Sequence, residues 1–61
     1  MQFLQLSTGT IIEFDQVFIY DTDNDFTIND ATLFTYNFNS PRDVKNVRIN
    51  KKDVVLYWIS E

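Results

Sequence analysis

The chain is predicted to be all-β, and three observations predict it. Apolar residues recur at two-residue spacing in short runs, as in Leu4 and Leu6, Ile12 and Phe14, Phe26 and Ile28, and Val47 and Ile49. Clusters of Asn, Asp, Ser and Thr separate those runs at roughly even spacing, with one Gly and one Pro in the whole chain, so Asn and Asp must supply most of the turn chemistry. Finally, six Phe, three Tyr and one Trp in 61 residues favour the pleated conformation and bring the bulk a small core needs.

Taken in order, Phe3, Leu4 and Leu6 form a first strand, and Ser7-Thr8-Gly9-Thr10 reads as a tight loop in which Gly9 takes a positive φ. From Thr10 to Asp21 the apolar phase breaks. Ile12 and Phe14 share a face, but Val17 and Ile19 join them only if parity changes at Asp15-Gln16, where a bulge or corner is expected. An acidic loop, Asp21-Thr22-Asp23-Asn24-Asp25, precedes Phe26 and Ile28. Asn29-Asp30 reads as a second turn or bulge, and the one candidate helical turn lies at 29–33.

Residues 32–38 alternate cleanly, which predicts a strand with Phe34, Tyr36 and Phe38 on one face, ended by Asn39-Ser40-Pro41-Arg42-Asp43. Val47 and Ile49 mark the next strand, and Asn50-Lys51-Lys52-Asp53 is expected to return it in a hairpin to the last. That last run, Val54-Val55-Leu56-Tyr57-Trp58-Ile59, has no polar phase at either period. It is therefore expected to be covered on both faces, with the rest of the chain as its wrapping. The sum is a five- to six-stranded antiparallel barrel or strongly bent sheet, SH3-like, with at most one helical turn, and residues 1–61 as one small domain.

Composition narrows the chemistry. With no His and no Cys, the usual general base, nucleophile pairs, thiolate metal ligands and disulfides are unavailable, so a non-catalytic protein without a cofactor is expected. Glu13 and Asp15, two apart on one strand, are the remaining carboxylate pair, but a chain this short has no deep cleft around them. The N-terminus lacks a basic start and a long apolar run, and no segment approaches the roughly 20 residues of a membrane span, so a cytoplasmic protein is expected.

Charge is segregated. Residues 1–41 carry six acids and no base, whereas residues 42–61 carry five bases and three acids, and the net −6 and +2 make the overall −4. Such a two-signed chain favours oriented association with a partner or with its own copies.

Three stretches are candidates for function. Asp21, Asp23 and Asp25 occupy the first, third and fifth positions of a twelve-residue segment with Ile28 at the eighth, which resembles the calcium loop of EF-hand and dockerin-type proteins. The resemblance implies a weak calcium site, and it departs from the pattern at Phe26, where the turn takes Gly, and at Thr32, where a carboxylate closes the shell. The second stretch is Arg42, Lys45, Arg48, Lys51 and Lys52, a basic set beside aromatics that suits a nucleic-acid-binding barrel. The third is the aromatic set Phe34, Tyr36, Phe38, Tyr57 and Trp58, joined by Phe18 and Tyr20, which exceeds what so small a core encloses and marks a protein interface.

The leading expectation is a protein-binding module that self-associates. Short, acidic, Cys-free β chains of this kind resemble the accessory and inhibitor proteins that bacteria and their phages encode. A variant of this reading is an inhibitor that imitates nucleic-acid phosphates with Glu13, Asp15, Asp21, Asp23, Asp25 and Asp30.

Overall fold

The computed structural model describes residues 1–15 and 20–60, with the backbone alone for Tyr20 and Tyr36. Among the described residues six strands form one antiparallel sheet: β1 Gln2–Leu6, β2 Ile11–Phe14, β3 Tyr20–Asp21, β4 Asp25–Thr35, β5 Asn39–Asn50 and β6 Val54–Ile59. The order is β3-β4-β2-β1-β6, with β5 on the other side of β4. The sheet is strongly bent and stays open. No helix among the described residues is long and apolar enough to cross a membrane.

The first hairpin forms as its sequence requires. Gly9 takes φ 95°, its N–H donates to the Leu6 carbonyl, and β1 and β2 pair from Gln2 opposite Phe14 to Gln5 opposite Ile11. The phase change expected at Asp15-Gln16 lies outside the described residues, as do Val17, Phe18 and Ile19.

β4 and β5 make one long hairpin in register from Asp25 opposite Asn50 to Leu33 opposite Arg42. One bend lets both halves of β4 face the core. Asp30 adopts a left-handed φ of 55°, so Phe26 and Ile28 point inward before it and Ala31 and Leu33 after it. Asp tolerates this conformation better than most residues because its short polar side chain bonds locally. The helical turn expected at 29–33 is this kink inside a strand, because the β ladder with β5 continues through it. At the far end, residues 36–38 are a tight turn and not the end of a strand, so the predicted strand 32–38 stops at Thr35. Ser40 and Pro41, expected to form a loop, begin β5; Ser40 has φ 51° at a shift in register, and a proline fits there because β5 is an edge strand.

The core lies between the inward faces of β1, β2, β4 and β5. Leu4, Ile12, Phe14, Phe26, Ile28, Ala31 and Ile49 form it, with Ile12 and Ile28 at 0 % exposure, and Leu6, Leu33, Val44, Val47 and Val54 pack around it. Each of the large core side chains contributes roughly 1.5–3 kcal/mol by leaving water.

β6 overturns the expectation that it is sandwiched. Among the described residues it pairs with β1 alone, and Val55, Leu56, Tyr57 and Ile59 are 61, 52, 47 and 65 % exposed, with only Val54 and Trp58 half-buried. It also does not pair back onto β5. The 3-10 turn Lys51–Asp53 carries the chain across, fixed by the Asn50 side chain accepting from Lys52 N–H, by Lys51 N–H on the Asn24 carbonyl, and by Ser7 N–H on the Asp53 carbonyl. β6 then meets β1, and Met1 and Ser60 exchange two backbone bonds of 2.9 Å at its end.

Candidate functional site

The outward face of β1 carries what the core does not use. Leu4 and its partner Ile12 point inward, so Phe3 and its partner Glu13 point outward, where Trp58 of β6 lies directly opposite Phe3. Phe3 and Trp58 stack with centroids 5.2 Å apart and planes within 10°. Phe38 closes over them edge-on, 5.9 Å from Phe3 and 6.5 Å from Trp58, and Phe34 meets Phe38 at 5.3 Å. Edge-to-face and offset contacts of this kind are worth about 0.5–1.5 kcal/mol each beyond the area they bury.

The turn Tyr36–Phe38 is what delivers Phe38. Asn37 and Phe38 both hold left-handed backbone, φ 65° and 60°, and Thr35 Oγ1 donates to the Asn39 carbonyl to close the turn. A phenylalanine in that region costs roughly 1–2 kcal/mol, so the conformation persists because the ring gains its neighbours. Even so, Phe38 remains 47 % exposed at the crown of the cluster.

Of the aromatic residues expected at an interface, Phe34, Phe38 and Trp58 therefore come together. Tyr57 points to the opposite, concave side, opposite Leu4, and donates its hydroxyl to Gln2 Oε1 at 2.8 Å. The side chains of Tyr36 and Tyr20, and Phe18 altogether, lie outside the described residues. Sequence reasoning missed Phe3, whose signal was present: β1 carries apolar residues on both faces, Phe3 on one and Leu4 and Leu6 on the other. It also missed Val55, Leu56 and Ile59 as surface.

On the concave side the open sheet leaves a cleft of about 540 Å³ lined by Gln2, Leu4, Asp21, Phe26, Lys51, Val54 and Tyr57. Lys51 Nζ and Asp21 Oδ1 form an ion pair of 2.6 Å at this cleft.

The acidic and basic stretches meet one another. Asp25 accepts from Thr22 Oγ1 at 2.7 Å and from Arg48 Nε at 3.1 Å, while Asp43 accepts from Thr32 Oγ1 at 2.9 Å. Asp21 and Asp25 are thus each held by a cation, Asp23 is exposed, and among the described residues no three acidic side chains are grouped to hold a metal ion. Arg48 and Lys51 are engaged in the same pairs, whereas Arg42, Lys45 and Lys52 make no ion pair among the described residues.

The Asp25 carboxyl is held below its ordinary value of 3.8, first by the Thr22 hydroxyl, which burial opposes, and then by Arg48 and Lys51. A depressed carboxyl stabilises the fold above its unfolded value and loses that contribution as pH falls through its folded value. The difference in urea midpoint between wild type and Asp25→Asn is therefore expected to be full above about pH 4 and to shrink below it. A difference independent of pH would show that the carboxylate charge is not what Arg48 and Thr22 hold.

No known protein family, curated protein or solved structure matches this chain.

Proposed function

We propose that this protein is a non-catalytic protein-binding module, a small accessory or inhibitor protein that self-associates. The observation that supports it is the exposed apolar strand β6, with four large hydrophobic side chains 47–65 % exposed and no charge or proline between Asp53 and Ser60. Edge strands facing water alone are ordinarily blunted by Lys, Pro, bulges or cover. β6 has neither Lys nor Pro, and its one irregularity is the register shift at Val55, beyond which Leu56 to Ile59 run regularly against β1. Contiguous apolar surface next to exposed aromatic rings is what binding faces present. Phe3, Phe34, Phe38 and Trp58 lie on the outward face beside this edge and add a rigid aromatic platform at low entropic cost.

Sedimentation across a dilution series tests the self-association. The weight-average mass is expected to rise from that of one 7.3 kDa chain towards a multiple of it as concentration increases. A single 7.3 kDa species at every concentration would remove self-association from the proposal.

A further inference from the structure

We infer that two copies of the chain join through β6, edge to edge and antiparallel, about a two-fold axis at Tyr57, so that two open sheets become one continuous sheet. The inference rests on the self-association proposed above and assigns it a place and a register. The reciprocal bonds between Met1 and Ser60 fix the ladder phase of β6. Alternation from that pair makes Trp58 and Leu56 the residues bonded to β1, so the backbone N–H and C=O of Tyr57 and Ile59 are directed away from it. Among the described residues, β6 has no second strand to receive them.

The side chains are self-complementary about the same point. With Tyr57 opposite its own copy, Leu56 lies opposite Trp58, and Ile59 faces the stretch at Val55 where β6 shifts register against β1, so the exposed apolar residues of β6 gain apolar neighbours across the seam. The Leu56 and Trp58 pairs would also join the two aromatic clusters across the axis. The four exposed side chains offer on the order of 400 Å² per copy, and with Trp58 and the strand backbone two copies would cover on the order of 1,000 Å², the lower bound of a specific interface. The other outer edges do not compete, and β3 among them is only two residues long. β5 carries Pro41, which cannot donate to a ladder, and the cations Arg42 and Lys45, which disfavour a second like edge, so pairing closes at two copies instead of growing into a fibre.

Because the chain has no cysteine, single-cysteine variants report the register directly. Under mild oxidation Tyr57→Cys is expected to form a covalent dimer, since residues opposite themselves across such an axis have Cα atoms about 5.5 Å apart, within disulfide reach. Lys45→Cys, on the far edge, is expected not to cross-link in its place. Leu56→Lys, which places one cation per copy in the apolar seam, is expected to weaken the dimer by at least about 100-fold. Its far-ultraviolet circular dichroism is expected to match wild type, because Leu56 is already exposed. A wild-type dimer that Leu56→Lys leaves intact and Tyr57→Cys fails to trap would overturn pairing through β6 while leaving self-association standing. A wild-type chain monomeric at all concentrations would overturn both.

Discussion

Phe14→Ala is expected to remove roughly a third or more of the fold's stability. Phe14 closes β2 at 2 % exposure, in one cluster with Leu4, Ile12, Phe26 and Ile28. Truncating a buried phenylalanine costs about 3–5 kcal/mol, transfer and residual cavity together. A chain of this length has only about 3–9 kcal/mol in total at the usual 0.05–0.15 kcal/mol per residue. No disulfide adds to that reserve, and none of the core residues has a polar group whose loss could offset the cavity. Ile12→Val, which removes one methylene from an equally buried site, is expected to cost about 0.5–1.5 kcal/mol and to stay folded. Urea titrations followed by circular dichroism distinguish the two. A Phe14→Ala midpoint close to wild type would show that the cluster around Ile12 and Ile28 is not the seat of stability.

That cluster was legible in the sequence because its members sit at two-residue spacing and a strand has that period. Leu4, Ile12, Phe14, Phe26, Ile28 and Ile49 fall inward where the alternation puts them, and the irregularity at Asn29-Asp30 marks the kink that Asp30 makes at φ 55°. What alternation does not encode is which strand lies beside which. β6 follows β5 by three residues yet pairs with β1, about fifty residues earlier in the chain, and no local pattern distinguishes the two. The same gap explains why the run Val54 to Ile59 was expected inside. Uniform apolarity states that a surface prefers cover, without stating that the chain itself supplies the cover. At residues 36–38 alternation misled for a different reason. Asn37 and Phe38 both turn left-handed without a glycine, so spacing that reads as a continuing strand instead bends Phe38 back over Phe3. The aromatic face was therefore foreseen in part, through Phe34, Phe38 and Trp58, while Phe3 beneath them was not.

Phe3→Ala is the second substitution with a large expected effect, about 3–5 kcal/mol, although Phe3 faces away from the main core. It is only 9 % exposed because Trp58 stacks on one side of it and Phe38 stands edge-on to it. Phe38→Ala alone is expected to cost much less. Its ring is 47 % exposed, and its left-handed backbone carries a penalty of roughly 1–2 kcal/mol that alanine relieves no better, so the loss is confined to aromatic contact. The double variant should then destabilise by less than the sum of the two, with a coupling of about 0.5–1.5 kcal/mol for the lost ring pair. Full additivity in urea denaturation would mean that Phe38 is displayed over Phe3 without being held by it. Measured coupling would instead establish why a phenylalanine tolerates φ 60° there: Phe3 and Trp58 form the floor on which an exposed ring is kept in one orientation, as an aromatic contact surface requires.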